Sequence, residues 1–329
     1  MIGRAVRTAL TITAGVVLML GGFGDAPAAL GAADAYPTRT ITIYTPFAAG
    51  STNDIEARVL ALGLRDVFHQ PVIVVNAPGA SGGVALTQVE TRPADGYSLL
   101  LDTRTLSFIL ASGDAHYAVK DVAAIVRLDG EALSLFVRSS SPFRSLADFV
   151  QAAKASPGKL VIGGPGVVEV NHQAEVEFAD AAGIDVAWVP FAGGGQVVTA
   201  VLGGHLDAGM TAPSNALGNV QAGTMRYLAL AAKPPYTPLP TAPTFTGAGY
   251  PLVEYVWRGV VTRSGVPDPV LARLATGIDT VRHTAAWAEF EKKYAQVDLF
   301  LGPSAFQTYL EREVEATAAI AKRLSQGHK

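Results

Sequence analysis

The sequence predicts an α/β protein with two lobes, each a mainly parallel sheet flanked by helices. Three observations carry that expectation. From Tyr36 onward, β-type runs alternate with helical segments, the pattern of a sheet covered by helices. Two small-residue turns echo each other, Pro46-Phe47-Ala48-Ala49-Gly50 and Pro190-Phe191-Ala192-Gly193-Gly194, each after a short β-type run and before a helical segment. A length of 329 residues favours two lobes over one.

The elements follow in order. Ile41–Thr45 is a strand, and Ser51 with Asp54 three residues on reads as a capping box opening a helix that runs toward Phe68. Val72–Val75 is a strand with Asn76–Gly83 as its exit loop, then a short helix to Glu90. Asp95-Gly96 turns into a third strand, Tyr97–Leu101, ending at Asp102-Thr103-Arg104. Ile125–Leu128 and Leu133–Arg138 are strands that carry the chain into a second lobe. There, Ser145 and Asp148 form another capping box, and Leu160–Ile162 is a strand with Gly163–Gly166 as its exit loop. A helix over Asn171–Ala182, a strand at Val186–Val189, the Phe191–Gly195 loop and a helix over Gln196–Leu202 come next. Ala208–Thr211 is a strand with Pro213-Ser214-Asn215 at its exit, and Tyr227–Ala231 is the last strand of this lobe. Pro234–Pro251, rich in Pro, Thr and Gly, reads as a connector. A strand at Val256–Val261 and helices over Val270–His283, Ala286–Tyr294 and Pro303–Ser325 finish the chain.

Composition narrows the function. With 49% hydrophobic and 16% charged residues the chain suits a packed, loop-punctuated protein. A net charge of -3 without a basic block disfavours nucleic acid as a partner. The absence of cysteine excludes disulfides, thiolate catalysis and Cys-ligated zinc. Arg4 and Arg7, the apolar run Ala9–Leu20 and the small residues ending Ala33-Asp34-Ala35 have the three parts of a secretory signal peptide, cut before Tyr36. A membrane anchor is the alternative, but a span needs about 20 apolar residues, and Gly21-Gly22 and Asp25-Ala26-Pro27 interrupt this run.

No His-Glu-x-x-His pair, phosphate-binding loop or dinucleotide fingerprint occurs, and no two histidines stand at metal-ligand spacing. Ser156-Pro157-Gly158-Lys159 fits Ser-x-x-Lys, yet its Pro and Gly make it a turn. Neither a cofactor nor a metal is expected. What the two echoing turns offer is unpaired backbone N–H at a helix N-terminus, a ready anion site. They read as facing jaws of one cleft, closing on a carboxylate. Asp54 is first a helix-capping carboxylate and second a ligand group; His172 is either a locally bonded helix-start residue or a ligand-facing one.

Together the loops resemble the TctC/Bug-type extracytoplasmic solute receptors of tripartite tricarboxylate transporters. The resemblance runs through Pro46–Asp54, Gln70-Pro71-Val72, Asn76–Gly83, Pro93–Tyr97, Val189–Gly194, Leu202–Asp207, Trp257–Gly259 and Gly265-Val266-Pro267. It implies a two-lobed fold of the periplasmic-binding-protein kind (type II), with lobe 2 (132–245) inserted into lobe 1 (36–131 and 246–329). By the same resemblance, backbone amides hold a small carboxylate, a monomer presents it to the membrane subunits of the transporter, and no reaction is catalysed. The ligand-facing set it implies is Phe47, Ala48, Ala49, Gly50, Ser51, Asp54, Ala80, Ser81, Thr103 and Arg104 in the first lobe. In the second it is Gly164, Gly166, His172, Phe191, Ala192, Gly193 and Ser214. A sensor or scavenger without transport subunits is the alternative, and a periplasmic enzyme a third reading.

Several positions depart from the family pattern. The loop before His172 has lost its hydroxyls and gained Val167, Val168 and Glu169; Arg104 and Arg258 stand where other residue types are usual. Either arginine is a candidate partner for a second acid group of the ligand, or else for a surface or interlobe salt bridge, with Glu169 as the candidate counter-ion.

Overall fold

Runs rich in Val, Ile, Leu and Tyr sort into two sheets, and the chain changes sheet twice. The computed structural model describes residues 36–112, 116–166 and 170–325; the expected leader, 1–35, and Val167, Val168 and Glu169 lie outside the described residues. The chain opens with β1 (Ile41–Thr45), α1 (Thr52–Phe68), β2 (Val72–Asn76), α2 (Gly83–Glu90), β3 (Ser98–Thr103), α3 (Thr105–Ser112) and β4 (Val122–Ala132). It continues through β5 (Ser134–Arg138), α4 (Leu146–Ala155), β6 (Val161–Pro165), α5 (Val170–Ala182), β7 (Ala187–Phe191), α6 (Gly194–Leu202), β8 (Ala208–Thr211), α7 (Pro213–Gln221) and β9 (Met225–Leu230). It ends with β10 (Tyr255–Arg263), α8 (Asp268–Arg282), α9 (Ala285–Lys293), β11 (Val297–Leu301) and α10 (Pro303–Ser325).

The first sheet has the order β11-β4-β10-β3-β1-β2 and the second β7-β6-β8-β5-β9. The α/β, two-lobed expectation is met: four of the six strands of the first sheet and four of the five of the second run the same way, the exceptions being β10, β11 and β5. β1 runs parallel to β2 and β3, and β6 to β7 and β8. β10 arrives from the second sheet, inserts between β3 and β4, and runs against both. β5 arrives from the first and runs against β8 and β9. A strand that enters from the opposite lobe starts where its neighbours end, so it is antiparallel by construction.

Helices cover both faces of each sheet, as the apolar residues on both sides of the strands require. Leu60, Leu64, Leu274, Ile278 and Trp287 of α1, α8 and α9 close on Ile41, Ile43 and Leu99. Leu86, Ile109, Phe306 and Leu310 of α2, α3 and α10 close on Tyr44, Leu100 and Trp257. In the second sheet Phe149 and Phe178 pack one face, and Val197, Val201 and Ala216 the other.

Three elements were not expected from the sequence: α3, α7 and β11. The Pro213-Ser214-Asn215 exit loop is the first turn of α7, where proline's missing N–H has no helical partner to lose. Two expected loops are shorter than read. β6 runs through Gly163-Gly164-Pro165 and β7 through Pro190-Phe191, pairing Gly164 with Pro190 and Pro165 with Phe191. Pro190 is tolerated because β7 is an edge strand. At the sheet junction Leu133 N–H donates to Glu254 O (3.1 Å), Ala231 N–H to Leu133 O (2.7 Å) and Glu254 N–H to Ala231 O (2.9 Å).

Candidate functional site

The first jaw leaves β1 at Thr45, with Phe47 half-buried and Ala48, Ala49 and Gly50 exposed. Ser51 caps α1 by accepting Asp54 N–H at 3.2 Å, but the capping box is not reciprocal. Asp54 instead accepts Gly50 N–H at 2.8 Å, which fits the left-handed φ of +82° at Gly50. Its other oxygen takes Asn76 Nδ2 at 2.8 Å, and the same Asn76 amide reaches Phe47 O at 2.9 Å. Arg58, one turn on, completes the network with Nε 3.0 Å from Asp54. Burial pushes the Asp54 carboxyl up, but the hydrogen bonds from Arg58, Gly50 and Asn76 outweigh it and hold it at about 2. Asp54 therefore shapes the jaw as a permanent anion. Gly50 N–H is engaged, and Ser51 N–H donates to Ala48 O. The amides of Ala48, Ala49, Thr52 and Asn53 have no protein acceptor among the described residues.

Ala80 and Ser81 lie in an exposed loop in which Gly79, Ala80, Ser81 and Gly82 all have positive φ. That conformation is uncommon for Ala and Ser and costs about 1–3 kcal/mol at each such residue. Gly82 seats the loop against the first jaw: a Cβ there would stand 2.8 Å from Ile109 and 3.4 Å from Pro46.

Thr103 ends β3 and Arg104 follows it, and both are buried. Arg104 pairs with Glu254 through Nη1 and with Glu313 through Nε at 3.0 Å, while Nη2 reaches Gln173 of α5 at 3.4 Å. Glu313 also accepts Ser107 Oγ (2.7 Å), Trp257 Nε1 (2.6 Å) and Tyr309 OH (2.8 Å). Burial pushes Glu254 up to about 7 against the pull of Arg104. A cavity of about 370 Å³ adjoins the group, lined in part by Arg127, Tyr255, Trp257 and Tyr309.

In the second lobe Gly164 lies buried in β6, where any Cβ would overlap the Trp188 ring and stand 2.7 Å from Met210 O. Gly166 donates its N–H to Phe191 O (3.0 Å) and its carbonyl accepts Trp188 Nε1 (3.1 Å). His172 stacks flat on that indole, centroids 4.9 Å apart and planes at 10°. Its Nε2 is 3.8 Å from Glu175, whose carboxyl burial pushes up to about 8.

The Phe191 ring turns away under β6, toward Leu206 and a groove lined by Gln196, Thr199 and His205. Ala192 N–H is taken by Gln196 Oε1 at 3.2 Å. Gly193 precedes α6, and the amides of Gly193, Gly194 and Gly195 at its head have no protein acceptor among the described residues. Gly194 has to be small because a Cβ would meet the Asn215 amide at 2.5 Å. That contact joins the second jaw to the Ser214 turn.

No hydrogen bond or ion pair joins the two jaws directly among the described residues; a polar chain behind them does. Ser214 N–H donates to Glu131 Oε2 (3.2 Å), Glu131 Oε1 accepts Arg258 Nη2 (2.7 Å), and Arg258 Nε donates to Asn53 Oδ1 (2.7 Å). Arg258 also lies 3.1 Å from Glu56 and 3.8 Å from Asp129, and bonds Gln296 through Nη1. Burial, then mutual repulsion among the carboxylates, pushes Glu56 well up; Asp129 rises to about 7, mainly by burial, against Arg258. Of these, Arg258 and Ser214 were singled out from sequence. The signal for Asp129 and Glu131 was two acids in an otherwise apolar run, past the point where the expected strand ended. Among the described residues no group of three or more His, Asp or Glu is arranged to hold a metal ion, and no helix is long and apolar enough to cross a membrane.

Comparison with known proteins gives the family and the fold. The model of the tripartite tricarboxylate transporter family receptor, TctC, matches residues 56–324. Protein BugT of Bordetella pertussis is 26% identical over 88% of this chain and 90% of its own. An R. palustris protein with bound adipate superposes with a TM-score of 0.79 at 24% identity, over 88% of this chain and 98% of that one. MatC from Rhodopseudomonas palustris, with bound malate, gives 0.75 at 22% identity, over 87% and 100%.

Proposed function

This chain belongs to the tripartite tricarboxylate transporter receptor family, and from that premise we propose that it is a periplasmic receptor for a small carboxylate. The ligand lies between lobe 1 (36–131 and 246–329) and lobe 2 (132–245). It is held by the amides of Ala48, Ala49, Thr52 and Asn53 on one side and of Gly193, Gly194 and Gly195 on the other. Residues 1–35 are a leader removed on export, and the mature monomer hands its ligand to the membrane subunits of a tripartite transporter.

One observation carries the reading: each lobe offers a helix head with several unengaged amides, α1 after β1 and α6 after β7. Such heads favour anions through converging N–H groups and the helix dipole, and each buried charge-assisted bond contributes roughly 1.5–3 kcal/mol. Malate and adipate, held by the two neighbours of like fold, are carboxylates. The network around Asp54 supports a preformed first jaw, so little ordering accompanies binding. Ala80, Ser81, Thr103, Gly166 and His172 border the ligand, and Gly164 acts by seating Trp188.

The test is calorimetry against mono- and dicarboxylates, with the ligand recovered and weighed by mass spectrometry. Saturable 1:1 binding of an unchanged acid is the expected result. Turnover of the acid, or no binding across the set, overturns the reading.

A further inference from the structure

The cavity of about 370 Å³ takes no residue from either jaw. Its walls include Arg127 of β4, Leu299 of β11, Tyr309 and Glu313 of α10, and Val253 and Glu254 of the return crossing. β4 stands three strand spacings from β1, roughly 14 Å, which sets the cavity apart from the first jaw. Its size falls within the roughly 300–1,000 Å³ of small-molecule sites. Arg127 is half-buried there and only partly engaged. Its Nε donates to Leu299 O at 2.7 Å, and its guanidinium carbon lies 4.4 Å over the Tyr309 ring. Its two terminal nitrogens have no hydrogen bond or ion pair with protein groups among the described residues. The two acids in the same walls are matched. Glu254 pairs with Arg104 Nη1, and Glu313 with Arg104 Nε at 3.0 Å. Glu313 further accepts Ser107 Oγ, Trp257 Nε1 and Tyr309 OH.

We propose that this cavity is a second ligand site, in which Arg127 holds a small organic carboxylate. The free edge of the guanidinium is a planar fork that matches the two oxygens of a carboxylate. Stacking on Tyr309 and the bond to Leu299 O fix the plane of that fork before any ligand arrives. Val253, Leu299 and the Tyr255 ring give apolar surface for a carbon body, which favours an organic acid over an inorganic anion. Glu254 opposes an anion less than a free carboxylate would. Arg104 neutralises it, and burial pushes its carboxyl up to about 7, so part of it is protonated at neutral pH. The site does not depend on the jaws for any of its groups. It is lodged against Val253–Tyr255, where the chain returns from the second sheet, and the Arg104 beside it reaches Gln173 of α5. An acid bound here therefore touches the outer edge of the first sheet and the return crossing together.

The probe is 4-bromobenzoate on the mature protein, followed by calorimetry and by anomalous scattering from its bromine in a crystal. The expected result is a bromine inside the cavity with the carboxylate on Arg127. A bromine at the jaws alone, or none, overturns the proposal. In solution Arg127→Gln should weaken this binding at least tenfold, whereas Gly195→Ala, in the second jaw, should leave it within twofold. The reverse pattern puts the probe at the jaws, which overturns the second site and leaves the receptor reading intact. Equal losses in both variants mean one shared site and overturn it as well. Should Arg127→Gln fail to fold, the bromine position in the unsubstituted protein decides.

Discussion

Glu131, one residue before the end of β4, accepts the backbone N–H of Ser214 at the head of α7, 3.2 Å away and across the sheet junction. A side chain of one lobe thus occupies the anion position of a helix in the other. The contact is set by Arg258, which holds the opposite oxygen of the same carboxylate at 2.7 Å.

Removing that carboxylate should loosen both lobes. Breaking one partner of a buried pair is destabilising by about 3–5 kcal/mol. Glu56 and Asp129 remain near Arg258, so Glu131→Ala is expected at the lower end, about 3 kcal/mol, and Glu131→Gln, which keeps an acceptor for Ser214, at about half of that. Urea denaturation measures both. An alanine variant as stable as the parent would show that the contact is incidental.

The buried acids make stability depend on pH in a direction opposite to the usual carboxylate. Asp129 rises from 3.8 to about 7, mainly by burial, so the folded state binds its proton over a range where the unfolded chain has lost it. The stabilisation is complete below the unfolded value and is lost as pH rises through about 7, with a slope of up to about 1.4 kcal/mol per pH unit. Glu254, also at about 7, adds to the trend. Equilibrium unfolding from about pH 4.5 to 8 should show declining stability, and Asp129→Asn should flatten the curve. The same slope in that variant would falsify the assignment.

Asp54 behaves in the ordinary sense. Held at about 2, it stabilises the fold above the unfolded value near 3.8, and that contribution disappears as pH falls from there through about 2. Asp54→Ala releases Gly50 N–H, Asn76 and Arg58 together. Bonds to a charged group are worth roughly 1.5–3 kcal/mol, so a loss of about 2 kcal/mol at pH 7 is expected, with carboxylate affinity reduced tenfold or more. Intact affinity would mean that the first jaw keeps its shape without Asp54.

Two glycines separate packing from binding. At Gly164 a Cβ would overlap the Trp188 ring and crowd the Met210 carbonyl. Overpacking of that kind costs typically about 1–3 kcal/mol, and Gly164→Ala should lie at the upper end of that range in thermal or urea unfolding. Gly195 has open space where a methyl group would go, with nothing within 4 Å, and it sits in a helix. Gly195→Ala should therefore stabilise by up to about 1 kcal/mol. If α6 holds the ligand, the same substitution weakens binding in calorimetry. Unchanged affinity in Gly195→Ala would move the anion away from that helix head.

The alternation of strand and helix was legible in the sequence because it rests on local patterns: apolar runs, caps at Ser51 and Ser145, and turns such as Asp95-Gly96. The helix α7 was read as a loop because Pro213-Ser214-Asn215 follows a strand with turn residues, whereas proline suits a first helical turn and Tyr227 OH of β9 donates to Pro213 O there. The jaws were visible as an echo of small residues, yet their division of labour was not. Whether Gly50 N–H is engaged, or the Phe191 ring turns outward, depends on Asp54 and Leu206 meeting them in three dimensions. Arg104 and Arg258 stood out as unusual charges. Their counter-ions Glu254 and Glu131 come from 150 and 127 positions away, a pairing no local pattern encodes.

The insertion of β10 between β3 and β4 has a consequence for how the chain reaches its native state. The first sheet is closed only when Tyr255–Arg263 takes its place, more than a hundred residues after β4 has been made. Until then β3 and β4 each expose an unpaired edge, the kind of edge that recruits foreign strands. Contacts this distant along the chain also slow folding, because a long loop has to close before any pairing rewards it. The second sheet, built from one continuous stretch between the two crossings, can form first and hold Leu133 and Glu254 side by side. Refolding in stages is therefore written into the topology: inner sheet early, outer sheet last, with β10 as the strand that ends the aggregation-prone interval.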